Sequence, residues 1–180
     1  MTQDRLRVLF CDHLNLARGK FLPASKIGDG ATRICQSTFG VTYDKDLIPA
    51  PGSKVLENLP DIEIRYRGED IRQDWLPGTK VVVGDLWEEG SPFGACGRHA
   101  LKRAIKDWQD LGLEPMIGLE LEAFAFQHDA DGRLVPYDTP KAYVYSTGPF
   151  SDPRGFTSAI WERATALGFR YAAIRVHAHL

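Results

Sequence analysis

Residues 117–126 alternate between two kinds of side chain, and this stretch constrains the fold most strongly. In an extended strand, successive side chains point to opposite faces, so Glu120 and Glu122 share one face with Phe124 and Phe126. The Cα atoms of the two glutamates would lie about 6.6 Å apart, since a strand rises about 3.3 Å per residue. This spacing would allow both carboxylates to bind ions of one polynuclear metal site.

A simpler alternative is an antiparallel strand whose glutamate side chains point into water. The two phenylalanines on the carboxylate face argue against this alternative, because a face that carries them is not simply solvated. A partly buried carboxylate needs a cation, a hydrogen-bond donor or a proton to offset the loss of water. Taken by itself, the stretch leaves both interpretations open.

The composition is that of an ordinary globular protein, with 43% hydrophobic and 26% charged residues among 180. The basic residues are scattered and the net charge is -2, so nucleic-acid binding is not expected. No stretch approaches the roughly 18 apolar residues of a membrane span, and no signal region is visible, which favours a cytoplasmic location. The three cysteines are widely spaced, which predicts reduced thiols.

The order of patterns indicates two regions that meet near residue 95. The first region is mainly strands and loops, and the second combines helices, a strand and a hairpin. Predicted strands cover residues 5–11, 62–66, 80–86, 117–126 and 171–176. A long loop covers 44–59, a hairpin tip lies at 129–132, and helices run from Gly97 to Gly112 and from Ser151-Asp152-Pro153 to Gly168.

Other motifs carry weaker signals. Arg18-Gly19-Lys20 is predicted at a solvated loop tip, although a phosphate contact is an alternative. Arg98, near a helix start, is predicted to tether the helix to a carboxylate rather than to bind an anion. The pair His177 and His179 is typical of a solvated tail, although a metal-binding role is an alternative. The Asp129–Gly132 stretch lacks the glutamate of a calcium loop, which favours a simple turn.

Taken in order, several of these segments resemble the N-terminal part of the glutamine synthetase family. The similarity covers most of residues 5–168, and the Arg-Gly-Lys segment is closest to the branch of γ-glutamyl-polyamine ligases and other glutamine synthetase-like enzymes. The residues that carry it are Phe10-Cys11-Asp12, Arg18-Gly19-Lys20, Tyr43 to Pro49, Lys80 to Leu86, Cys96-Gly97-Arg98 and Gly118 to Glu122.

The resemblance implies an α+β fold with a β-grasp domain at residues 1–95. Residues 96–180 would form the first, incomplete part of a glutamine synthetase-type catalytic domain, an antiparallel sheet with helices. The implied activity is an ATP-dependent carboxylate–amine ligase, in which the γ-carboxylate of glutamate is activated as an acyl phosphate and captured by ammonia or an amine. Glutamate, ammonia or an amine would be its small-molecule substrates.

The resemblance also implies roles for individual residues. Glu120 and Glu122 would be ligands of Mg²⁺ or Mn²⁺, which agrees with the preference of hard cations for carboxylate oxygens. Asp44 would help bind ammonium in the site of an adjacent subunit, which implies a homo-oligomer. Most of the ATP site would lie outside the matched residues.

Three departures put substrate and ammonium handling in question. Ala50 stands where the family pattern has Asp, Ala123 where it has Phe, and Gly97 where it has Pro. Family members are more than twice as long, so the chain alone is expected to be inactive. The alternative functions are a catalytically inactive truncated paralogue that serves as an assembly or interaction module, and a generic metal-binding or structural α+β protein.

Overall fold

The computed structural model describes residues 4–137 and 143–169 and divides the chain into two compact units, Met1–Met116 and Ile117–Leu180. The first unit contains β1 Arg5–Cys11, β2 Ala17–Pro23, β3 Gly30–Cys35, β4 Asp61–Tyr66, β5 Arg72–Gln73, β6 Thr79–Val83, β7 Asp85–Glu88, β8 Ser91–Pro92 and α1 Gly97–Asp110. The second contains β9 Phe126–His128, β10 Leu134–Pro136 and α2 Phe156–Ala166.

Two four-stranded sheets build the first unit. One is mixed, with strand order β2-β1-β6-β5, and its central pair β1 and β6 runs parallel while both outer strands run antiparallel. The other is antiparallel, with strand order β3-β4-β7-β8. The predicted α+β class is confirmed, and the mixed sheet agrees with the expected β-grasp arrangement.

The hydrophobic core of this unit follows from period-two patterns in both sheets. On β1, Leu6, Val8 and Phe10 alternate with more exposed residues, and on β4 Ile62 and Ile64 do the same. These residues belong to one buried cluster that also contains Phe39, Val82, Leu86 and Phe93. Burial of apolar area between the two sheets therefore supplies the main stabilisation of the unit.

The predicted strand at residues 80–86 is wrong in one respect, because it is two strands. Gly84 separates β6 from β7, and these strands belong to different sheets. A Cβ atom at Gly84 would lie 2.4 Å from Ile64 Cγ2 and 2.8 Å from the Arg65 carbonyl oxygen. The chain therefore changes sheets at a residue where only glycine fits.

Several other predicted elements are confirmed with small changes. The first helix is α1, and the second, α2, begins at Phe156 rather than at Pro153. The hairpin turn at Asp129–Gly132 joins β9 to β10. Residues 171–176, together with His177 and His179, lie outside the described residues.

Within the described part of the chain, neither helix is long and apolar enough to cross a membrane. Cys11, Cys35 and Cys96 are free thiols, as the sequence predicts.

Candidate functional site

The Glu120 and Glu122 carboxylates lie on an irregular segment rather than on a strand. Residues 117–125 form no regular secondary structure, and only Phe126–His128 pairs, with β10. The predicted strand over 117–126 is therefore wrong for most of its length. Alternation predicts which side chains share a face, but a strand also needs a partner for its backbone groups.

Both glutamates are exposed, and so are the apolar residues between and beside them. Leu119 is 85% exposed and Leu121 is 94% exposed, so the face opposite the carboxylates has no covering layer among the described residues. The phenylalanine argument for a buried carboxylate face is not supported either, since Phe124 is 78% exposed. Side chains on both faces of the segment are therefore exposed.

The chemistry of the two side chains fits a hard divalent cation, but their number is small. Mg²⁺ prefers six oxygen ligands, and Ca²⁺ six to eight. No group of three or more His, Cys, Asp or Glu side chains among residues 4–137 and 143–169 is arranged to hold a metal ion. Glu120 and Glu122 can therefore contribute ligands, and the remaining ligands must come from water, substrate or other residues.

Asp44 lies at the tip of a tight loop in the first unit and is exposed. The loop is closed by the Thr42 amide, which donates to the Asp46 carbonyl at 2.9 Å, and by the Lys45 amide, which donates to the Thr42 carbonyl at 3.0 Å. A bridge between Val41 and Leu47 flanks it. Asp44 is therefore presented to solvent from an ordered base.

The Arg18-Gly19-Lys20 segment lies inside β2, so the prediction of a loop tip is wrong. Gly19 packs so closely on β1 that a Cβ atom would lie 2.0 Å from the Val8 carbonyl oxygen. The Arg18 guanidinium pairs with the buried Asp12 carboxylate, and the Lys20 ammonium donates to the Arg33 carbonyl at 2.5 Å. Both cations have protein partners.

Asp12 is a residue whose role the sequence did not reveal. Its Oδ1 accepts hydrogen bonds from the backbone amides of Leu14 and Leu16, each at 2.9 Å. Burial raises the pKa of Asp12. The Arg18 guanidinium and these two amides lower it by a larger amount, so the pKa of Asp12 lies below its ordinary value. An Asp followed by Asn15 and flanked by strand patterns is the available sequence signal for such a turn.

Arg98 tethers α1, as predicted. Its Nε donates to Asp85 Oδ1 at 2.8 Å, and Lys102 Nζ donates to Asp85 Oδ2 at 2.5 Å. Burial raises the pKa of Asp85, but the Lys102 and Arg98 cations outweigh it and lower the pKa. His99 Nε2 also hydrogen-bonds to the Leu86 carbonyl at 2.8 Å. The start of α1 is thus fixed to β7.

The second unit has an open groove of about 430 Å³ beside α2. It contains none of Asp44, Glu120 and Glu122. Its lining residues are Tyr145, Ser146, Thr147, Gly148, Ser151, Asp152, Thr157, Ser158, Trp161 and Glu162.

No family model matches the chain. Among characterised proteins, the chain is 26% identical over 173 residues to a glutamine synthetase of Methanosarcina mazei. This match covers 93% of the chain and 37% of the Methanosarcina protein. It is 38% identical over 79 residues to a glutamine synthetase of Clostridium saccharobutylicum, covering 42% of this chain and 18% of that protein. A gamma-glutamylethanolamide synthetase, GlnA4 of Streptomyces coelicolor, is 39% identical over 57 residues, or 31% of this chain and 12% of that protein.

Two solved structures share the fold. A crystal structure described as a novel glutamine synthase homolog superposes with a TM-score of 0.67 at 14% identity and covers 98% of this chain and 41% of that one. Ligand-free GmaS superposes with a TM-score of 0.57 at 19% identity, covering 92% of this chain and 38% of that one. The chain spans 37% of the length of the Methanosarcina relative. In sequence the chain is similar to part of known glutamine synthetases, and it shares the fold of the corresponding part of glutamine synthetase homologues.

Proposed function

We propose that the chain supplies part of the active site of an ATP-dependent carboxylate–amine ligase of the glutamine synthetase type. The main support is the Gly118–Glu122 stretch, whose two glutamates are exposed. The chain that carries it is similar to glutamine synthetases and to gamma-glutamylethanolamide synthetase GlnA4. The substrates would be glutamate and ammonia or a primary amine.

In this proposal, Glu120 and Glu122 hold Mg²⁺ or Mn²⁺ together with ligands from elsewhere. The donor type supports the assignment, because carboxylate oxygens suit hard cations. A bound divalent ion would neutralise charge on the phosphates of ATP during phosphoryl transfer. The carboxylates' own contribution would be to fix the position of the ion.

Asp44 would bind the incoming ammonium or amine in the site of a neighbouring copy. Its exposure on an ordered loop supports this role, since an exposed carboxylate can reach a ligand outside its own chain. A homo-oligomer follows from the same proposal. The name of GlnA4 favours an amine substrate as an alternative to ammonia.

A second candidate function is an assembly or interaction module without catalysis. The absence of a cluster of three metal-binding side chains from residues 4–137 and 143–169 favours it, because two carboxylates alone make an open and weak site. The two candidates differ in what the purified chain does with ATP and metal.

Manganese titration tests the metal assignment. We expect weak binding by the unmodified chain, further weakened at least severalfold in both Glu120→Ala and Glu122→Ala. Glu114→Ala, which removes an exposed carboxylate outside the Gly118–Glu122 stretch, is the matched control and should bind as the unmodified chain does. Tight binding that Glu120→Ala leaves unchanged would exclude the assignment.

Phosphate release from ATP, measured with glutamate and a panel of ammonia, ethanolamine and putrescine, tests whether the chain alone has ligase activity. We expect no turnover by the chain alone. Turnover that Glu122→Ala abolishes would establish a ligase and exclude the inactive module. Turnover that this substitution leaves intact would contradict the proposed role of the Gly118–Glu122 stretch.

A further inference from the structure

The loop that carries Asp44 is closed on itself, but its own hydrogen bonds do not set its direction. The four internal hydrogen bonds of this loop join Thr42, Lys45 and Asp46, including one from the Asp46 amide to Thr42 Oγ1 at 3.1 Å. They fix the shape of residues 42–46. The Val41–Leu47 bridge holds the base of the loop, and a contact from elsewhere in the unit can orient its tip.

The side chain of Tyr43, next to Asp44, makes that contact. Its hydroxyl donates to the Leu14 carbonyl at 2.7 Å, across 29 positions of sequence. Tyr43 is 67% exposed, so packing of its ring contributes little to holding the loop. The hydrogen bond is therefore the main link from this loop to the turn between β1 and β2.

Asp12 fixes the Leu14 carbonyl in turn. Besides accepting the amides of Leu14 and Leu16, Asp12 donates its own amide to the Leu16 carbonyl at 3.2 Å. Asn15 has a positive φ of 60° and donates its amide to the Asp12 carbonyl at 3.1 Å. The Asp12 carboxylate is buried and paired with Arg18 on the neighbouring strand, so the turn is held from inside the sheet.

We propose that Asp12 is a positioning residue for Asp44, acting through the turn at residues 13–16 and the Tyr43 hydroxyl. The importance of this positioning rests on the proposed function of Asp44. The coupling itself is a property of the first unit and can be measured without a ligase assay.

Amide hydrogen exchange at Thr42, Lys45 and Asp46 tests the coupling. In Tyr43→Phe, which keeps the ring, we expect the protection factors of these amides to fall about tenfold, as for the loss of one hydrogen bond. Asp12→Asn should have a similar effect. The double variant should lower the protection factors no more than Tyr43→Phe alone does, because both substitutions interrupt the same chain of contacts from Asp12 to the loop.

The pH profile provides a readout that a general loss of stability would not reproduce. The pKa of Asp12 is lowered by folding, so its contribution is complete above about pH 4 and is lost as the pH falls through its folded pKa. We expect loop protection in the unmodified chain to fall in that acidic range. Protection in Asp12→Asn should not change there.

Three controls make the outcome decisive. Asp46→Asn changes a loop carboxylate outside the path and should leave exchange unchanged, and amides of β1 and β6 report whether each variant is folded. If Asp12→Asn does not fold, Arg18→Gln removes the ion pair and should reproduce the effect. Additive effects of Tyr43→Phe and Asp12→Asn, or no effect of Tyr43→Phe, would overturn the proposal. Tight manganese binding that Glu120→Ala leaves unchanged, found together with coupled exchange, would count against the proposed function alone.

Discussion

At the scale of single residues, the crossing at Gly84 shows how one position divides a hydrophobic run into two strands. The Gly84 amide donates to the Leu9 carbonyl at 2.8 Å, which places the residue against the mixed sheet as the chain leaves it. On the other side it meets the Ile64 side chain and the Arg65 carbonyl oxygen. The residue is therefore enclosed by both sheets.

We expect Gly84→Ala to destabilise the first unit by about 1–3 kcal/mol, since the added methyl group overpacks a closed site. Urea unfolding followed by tryptophan fluorescence measures the change. Gly94→Ala is the matched control, because no heavy atom lies within 4 Å of the Cβ position there. A loss of stability at Gly94 equal to that at Gly84 would contradict the steric explanation.

Residue types predicted some partners and not others. The expectation that Arg98 pairs with a carboxylate followed from its position at a helix start, and Asp85 is that carboxylate. The Asp12–Arg18 pair was not predicted, because its partners come together only when β1 and β2 pair in their observed register. Long-range register is not visible in a local pattern.

At the scale of elements, α2 depends on one carboxylate at its start. Asp152 accepts the Phe156 amide and the Thr157 amide, each at 2.7 Å, together with the Tyr137 hydroxyl at 2.9 Å. Burial raises the pKa of Asp152, but these donors and the Thr157 hydroxyl outweigh it and lower the pKa. The helix begins three residues after the predicted start because Asp152 caps it across a turn.

We expect Asp152→Ala to weaken the first turn of α2 by about 1 kcal/mol, the usual effect of losing a cap. Amide exchange at Phe156 and Thr157 should become faster, and Glu162→Ala, within α2, should leave these amides unchanged. In the unmodified chain the same protection should fall below about pH 4, because the lowered pKa makes the ionised cap stable above that range. Unchanged exchange in Asp152→Ala would contradict this role.

Elements determined by residues that are close in sequence were predictable. Elements that depend on a partner far away in sequence were not. The amphipathic pattern predicted α1, and the turn residues predicted the β9–β10 hairpin. The stretch 117–126 has a strong alternating pattern, yet most of it remains irregular because no strand among the described residues pairs with it. The candidate site was predictable in its residue types but not in its exposure.

At the scale of the whole molecule, buried apolar residues are concentrated in the first unit. All but one of the buried hydrophobic residues lie before Met116, the exception being Ala164 among the described residues. The second unit instead exposes large apolar side chains such as Leu119, Leu121 and Phe124. Because apolar burial supplies most folding free energy, the two units should differ in stability. The domain boundary at residue 95 remains a prediction.

We expect a glutamate-specific protease to cut first after Glu114, Glu120 or Glu122, because irregular exposed backbone fits a protease cleft. A resistant fragment that contains residues 1–114 should accumulate, and mass spectrometry would identify it. Glu63, in β4, is the internal control and should be cut only after the unit unfolds. Cleavage after Glu63 at the same rate would show that the first unit is not independently stable.

The parallel pair at the centre of the mixed sheet also has a consequence for synthesis on the ribosome. Arg5 pairs with Thr79 and Leu9 pairs with Val83. Each of these β1 residues therefore precedes its partner in β6 by more than seventy residues. Until β6 has been made, the strand pairs available to the growing chain are the β1–β2 hairpin and the β3–β4 pair. Such long-range closure slows folding, and the mixed sheet cannot close before β6 has been made.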